Sequence, residues 1–263
     1  MLSVALINPT QKVSPGVRDF IDGFQLFSRN PSRLVCCSPK KKKMLFTRQI
    51  EFESIGKSLF LSQESEGDTG CVVWDAAIVL AKYLEKQRYL LEKQRDLDVR
   101  PVRLSDCHVV ELGSGTGCVG LTAALLGASK VTITDLPQLV PLMEKNILQN
   151  HNNLRCAVDA IELTWGNMEQ GAALGTPDLL VLADCIYYEE SLEPLVSTMR
   201  SLCGTSTTVI LSYEHRTTGN NLEIQNRFFG LMEENFWKES IPLEDQHELY
   251  RSHDIHLFKF NLR

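Results

Sequence analysis

The sequence predicts an α/β fold built on a doubly wound, mostly parallel seven-stranded sheet. Three observations predict it. Short apolar runs alternate with amphipathic helical segments from residue 73 onward, a glycine-rich loop joins one such run to a helix, and the last two runs have no helix between them. Strands that alternate with helices lie parallel, with helices covering both faces. The final pair must then be antiparallel neighbours or edge strands.

The elements follow in order. Residues 46–61 alternate apolar and polar on either side of Ile55-Gly56, which reads as a short β-hairpin. From Val73, Ala76, Ala77, Leu80, Tyr83, Leu84 and Leu91 recur at helical spacing. This helix carries a repeat offset by seven residues, Leu84-Glu-Lys-Gln-Arg88 and Leu91-Glu-Lys-Gln-Arg95, too short for a coiled coil. Strands are expected at 107–112, 131–134, 156–163, 178–183, 208–213, 237–241 and 255–260. Helices are expected at 118–126, with Gly127 as its cap, from Pro137 to about 150, at 192–202 and at 222–234.

Composition narrows the function classes. The 263 residues are 43% hydrophobic and 23% charged, a globular composition long enough to bury a core without disulfides. Eight scattered cysteines form no CxxC pair, and the N-terminus has no basic-led apolar leader, so buried thiols in a reducing compartment are expected, and no metal site. No apolar run approaches the roughly 20 residues that span a bilayer. Residues 1–48 carry a formal charge of +7 and the remainder −13. Residues 1–43 are expected to be a poorly ordered extension, and 44–263 the domain. An acidic body makes a poor nucleic-acid platform. A cytoplasmic monomer is expected, with the nucleus a second address should the lysine run 40–43 be a signal rather than a solvated linker.

The candidate site lies at the C-terminal ends of the strands, where doubly wound sheets bind ligands. Glycines 113, 115 and 117 let the loop turn tightly and approach a ligand closely. Asp135, 20 residues after Gly115, closes the next strand and can accept both hydroxyls of a ribose. On the loop alone, a nicotinamide cofactor and S-adenosylmethionine are both open. Two features tilt the choice. Glu111 places a carboxylate that suits a cationic ligand end and would repel a pyrophosphate. The run 179–182 delivers Asp184 and Tyr187 beside the same pocket. The bland alternatives are a strand-end salt bridge for Glu111, a cap of the next helix for Asp184 and simple packing for Tyr187.

Four segments together carry a resemblance: Glu-Leu-Gly-Ser-Gly-Thr-Gly (111–117), Thr-Asp-Leu (134–136), Leu-Thr-Trp-Gly (163–166) and Asp-Cys-Ile-Tyr (184–187). They resemble the seven-strand S-adenosylmethionine-dependent protein-lysine methyltransferases of the methyltransferase-like 21 family, marked by Asp-x-x-Tyr after the fourth strand. Residues 70–80, 183–195 and 250–256 look like those of family members acting on valosin-containing protein, the hexameric AAA ATPase. The resemblance spans about residues 45–263. It implies a Rossmann-like class I methyltransferase fold, S-adenosylmethionine as cofactor with S-adenosylhomocysteine as product, and mono- to trimethylation of a lysine on that ATPase. It also implies that Trp74, Gly113, Ser114 and Gly115 line the donor pocket, that Asp135 binds ribose, that Trp165 packs near the adenine and that Ala183 lies beneath the cofactor. Asp184 and Tyr187 become the catalytic pair. Residue chemistry alone selects neither tryptophan, since a Trp more often packs than contacts a ligand.

Overall fold

A computed structural model describes residues 44–65, 67–93 and 104–263. The expected extension over residues 1–43 and the end of the second heptad, Gln94 and Arg95, lie outside the described residues. Strands β1 (Leu45–Phe52) and β2 (Lys57–Glu64) form the hairpin, paired antiparallel with Ile50 opposite Leu59. Gly56 makes the turn with φ of 60°. The main sheet comprises β3 (His108–Leu112), β4 (Lys130–Asp135), β5 (Val158–Glu162), β6 (Leu179–Ala183), β7 (Thr208–Glu214), β8 (Phe236–Ile241) and β9 (Ile255–Leu262). Their order is β5-β4-β3-β6-β7-β9-β8. The first five pair in parallel, and β9 runs antiparallel between β7 and β8.

Period-two alternation sends successive strand residues into opposite layers. Val109, Leu179, Val181 and Ile210 pack with Val79 and Leu80 of α1 (Asp75–Lys93) and Val119 and Ala123 of α2 (Cys118–Leu126). Val110, Leu180, Leu182 and Leu211 pack with Leu195 and Met199 of α5 (Leu192–Leu202) and Phe228 and Met232 of α6 (Asn221–Asn235). Each buried aliphatic side chain contributes about 1.5–3 kcal/mol. The core therefore fixes the central strand ends, where the candidate residues sit.

Two elements depart from the sequence expectation. Helix α3 spans Val140–Asn150 rather than starting at Pro137. Residues 136–139 form a turn closed by Leu139 N–H on the Leu136 carbonyl, and Pro141 occupies the helix's first turn, where a missing N–H costs nothing. A short α4 (Met168–Ala172) stands between β5 and β6, where no helix is expected. It starts at Asn167, whose Oδ1 accepts Gln170 N–H at 3.1 Å, and five residues are too few to show a period.

A two-stranded sheet is marginal alone. Here α3 covers its outer edge. Asn150 accepts Phe60 N–H at 2.8 Å and donates to the Phe60 carbonyl at 2.8 Å. Asn146 treats Ser62 likewise, at 2.7 and 3.1 Å. The match is geometric, because the four residues from Asn146 to Asn150 rise about 6 Å and two strand residues advance about 6.7 Å. Asn146 also donates to the Thr116 carbonyl at 2.9 Å, tying the hairpin to the glycine loop. On the hairpin's other side the buried Lys82 ammonium joins Glu53 and Glu85 at 2.8 and 2.9 Å and lies over the Phe52 and Tyr250 rings. Glu53, Glu85 and His247 bring three ligand-type atoms together, and the Lys82 ammonium already holds both carboxylates.

Replacing Asn150 by Ala leaves the Phe60 N–H and carbonyl without partners. Unfolding by denaturant should show a loss of about 1–3 kcal/mol with the slope unchanged. An unaltered midpoint would show that the asparagine ladder contributes nothing.

Candidate active site

The glycine loop follows β3 and turns because three glycines adopt φ values open to few other residues. Gly113 lies at 61° and Gly115 at 52°. A Cβ on Gly115 would sit 2.5 Å from the Gly70 carbonyl oxygen, and one on Gly113 would meet Cys185 Sγ at 2.8 Å and Trp165 at 3.0 Å. The loop is thus clasped between the 70–74 segment and the Trp165 ring. A narrow cavity of about 40 Å³ lies against it, lined among others by Trp74, Glu111, Gly113, Ser114, Gly115 and Ala183. Ser114 is nearly buried, donates to the Glu111 carbonyl and accepts Thr134 N–H at 2.9 Å, which locks the loop to β4.

Three carboxylates end three adjacent strands, and each has a different partner. Glu111, on β3, is 2% exposed and accepts Val119 N–H at 3.3 Å and Gly120 N–H at 2.9 Å, at the start of α2. Among the described residues it has no salt-bridge partner. Burial pushes its carboxyl up to about 8 against those hydrogen bonds, and the Asp135 charge adds to the rise. Asp135, ending β4, accepts Gly115 N–H on Oδ2 and Leu136 N–H on Oδ1, both at 2.7 Å. Burial raises its pKa above the usual carboxylate value. Each Asp135 oxygen keeps one acceptor direction, which suits a pair of neighbouring hydroxyls.

Asp184 follows β6 with φ of 55°, the one non-glycine at positive φ among the described residues. It does not cap the next helix. Its Oδ1 accepts Arg216 Nη1 at 3.0 Å and Glu214 N–H at 3.3 Å, and its Oδ2 accepts Arg216 Nη2 at 2.5 Å. Arg216 also holds Glu214 at 2.6 Å. Sequence reasoning missed Arg216, because no motif surrounds it; only the pairing of β6 with β7 brings it to Asp184.

Tyr187 is half-buried, and burial drives its phenol up to about 12 against a hydrogen bond from the Thr69 side chain. It is therefore a neutral group at pH 7 and no base. Trp74 donates Nε1–H to the Thr69 carbonyl at 2.8 Å, is 42% exposed, and carries the Arg216 guanidinium 5.7 Å from its ring. The 69–74 segment consequently touches both Tyr187 and the Asp184–Arg216 pair. All ten sequence-predicted positions converge on one region at the C-terminal ends of β3, β4 and β6.

The fit to S-adenosylmethionine can be judged from these residues. Side-chain-free backbone at the loop, two open acceptor directions on Asp135 and a buried carboxyl at Glu111 match a ligand with a ribose and a cationic end.

Comparison with known proteins agrees. A lysine methyltransferase family model matches residues 54–235. The chain is 33% identical over 195 residues to the protein N-lysine methyltransferase METTL21A of Mus musculus, covering 73% of this chain and 77% of that one. It is 33% identical over 217 residues to METTL21A of Danio rerio, covering 82% and 88%. EEF1A lysine methyltransferase 3 of Mus musculus is 35% identical over 177 residues, covering 65% and 68%. Among solved structures, SMU.776, a putative methyltransferase complexed with SAH, shares the fold at 13% identity with a TM-score of 0.50, covering 86% of this chain and 58% of that one.

The raised Glu111 carboxyl links donor binding to pH. A carboxyl at about 8 is largely protonated near pH 7. A cation beside it favours the charged form, so binding expels a proton. Affinity for S-adenosylmethionine should therefore rise from pH 6 to 8, by at most about tenfold per unit, and level off above that. Calorimetric titrations should show this slope in the parent and its absence in Glu111→Gln. Equal slopes in the two proteins would contradict the assignment.

Proposed function

The chain belongs to the lysine methyltransferase family and is an S-adenosylmethionine-dependent protein-lysine N-methyltransferase; on that premise we propose that its substrate is a lysine of the AAA ATPase valosin-containing protein, taken through one to three methyl transfers. The likeness of residues 70–80, 183–195 and 250–256 to enzymes of that substrate supports this reading. A relative named for EEF1A, at 35% identity, favours a second reading in which another protein is the acceptor.

The observation that carries the mechanism is the Asp184 carboxylate, held beside the glycine-loop pocket with one acceptor direction left. S-adenosylmethionine, when bound, supplies a methyl group on a positive sulphur and leaves as the neutral thioether. We assign Asp135 to the ribose hydroxyls, the 113–115 backbone and Ala183 to the walls, and Trp74 and Trp165 to the two sides. A lysine with pKa ~10.4 is only about 0.1% neutral near pH 7.4. Asp184 and Glu214 would attract the ammonium, whose loss of a proton to solvent would be favoured by the positive charge a bound donor brings. Oδ2 of Asp184 accepts one remaining N–H, which aims the nitrogen lone pair. Tyr187, a neutral phenol tied to Thr69, narrows the channel and excludes water. Alignment of the reactants supplies most of the acceleration.

Asp184→Ala should lower turnover at least ~10³-fold while S-adenosylmethionine binds with little change. The assay is transfer of labelled methyl to recombinant valosin-containing protein, with the modified peptide mapped by mass spectrometry. Parent-like rates in the variant would remove Asp184 from the mechanism. Labelling of other lysate proteins, with none on the ATPase, would replace the substrate.

A further inference from the structure

Asp184 has few ways to present itself. Its side chain is 6% exposed and its backbone sits in the left-handed region, which few L-residues adopt and aspartate tolerates better than most. Its acceptor directions can be counted. Two directions on Oδ1 serve Arg216 and the Glu214 N–H, and one on Oδ2 serves Arg216. A carboxylate offers about four, so one remains, on Oδ2.

Arg216 is itself anchored from behind. Gln225 of α6, 5% exposed, donates to the Arg216 carbonyl at 3.3 Å and faces His215 Nδ1 at 2.9 Å. His215 N–H reaches the Asp254 carbonyl before β9. The guanidinium is thus a fixed fork, held between Asp184, Glu214 and the Trp74 ring. The trio Asp184, Glu214 and Arg216 carries one net negative charge.

We propose that Arg216 is a positioning residue for methyl transfer: its fork occupies the broad face of Asp184 and leaves a single oxygen direction, which fits one N–H of a lysine amine. The proposal rests on the methyl-transfer reading above. A planar guanidinium from a substrate would need the paired face that Arg216 already fills, whereas an ammonium on a flexible stem needs one point of contact. Arg216 acts through Asp184 and touches neither the glycine loop nor Asp135 in this structure.

The test measures initial rates of labelled-methyl transfer from saturating S-adenosylmethionine into lysate proteins, beside calorimetric titration of the donor. Arg216→Met should slow transfer by roughly tenfold or more, with donor affinity within about threefold of the parent. Arg216→Lys keeps the charge but makes one point of contact and loses the fork, so it should remain at least about fivefold slower than the parent, with donor affinity again within about threefold. Should Arg216→Met melt below the assay temperature, Arg216→Gln replaces it and should be equally slow. Three results would overturn the proposal: a neutral variant as fast as the parent, a rate loss matched by an equal loss of donor affinity, or Arg216→Lys as fast as the parent. An inactive parent would instead overturn the methyl-transfer reading itself.

Discussion

Three carboxylates, two of them buried and Asp135 partly so, stand at the ends of three adjacent parallel strands and are the constraint on which the site depends. Like charges in a poorly hydrated space repel, and burial alone disfavours each ionised form. The protein answers differently at each position. Glu111 rests on two N–H groups at the start of α2, Asp135 on the N–H groups of Gly115 and Leu136, and Asp184 on a guanidinium. A pocket with this surplus of acid groups at its strand ends is set up to receive positive charge.

The sheet makes this arrangement available. Going out from β3 to β5 and returning to β6 places three strand ends side by side, with their loops opening on the same crevice. The hairpin then contributes from outside the sheet. Asn146 binds both the hairpin edge and the Thr116 carbonyl, and Gln63 of β2 accepts Val73 N–H at 2.7 Å. Both walls of the glycine-loop pocket are thereby tied to one small element that makes no contact with the reacting groups. The loop can be glycine-rich, hence costly to order, because these bonds hold its neighbours in place.

Much of this was legible in the residues. Continuous apolar runs gave β3 and β6, Gly127 marked the end of α2, and the glycines and Asp135 announced the pocket, since only backbone chemistry explains three glycines in five residues. Helix α4 was not legible, being too short for a period, and neither was the true start of α3, where Pro137 mimics a helix start that Pro141 supplies. The partners of the carboxylates were hidden for another reason. Glu111 pairs with backbone, which no side-chain motif records, and Arg216 stands 32 residues from Asp184, joined to it only by the pairing of β6 with β7. Trp74 and Trp165 stand out only through the family resemblance, and the structure sets one at the mouth of the loop and the other against Gly113.

The central claim is that an acid-lined pocket takes a cationic methyl donor and passes the methyl group to the ε-nitrogen of a protein lysine. Its most direct test is chemical. Lysate proteins are incubated with the enzyme and donor bearing a labelled methyl group, then hydrolysed to amino acids and separated. The account predicts label in methylated lysine, absent when the enzyme is omitted. Label found instead in methylarginine, methylhistidine or the small-molecule fraction would contradict it.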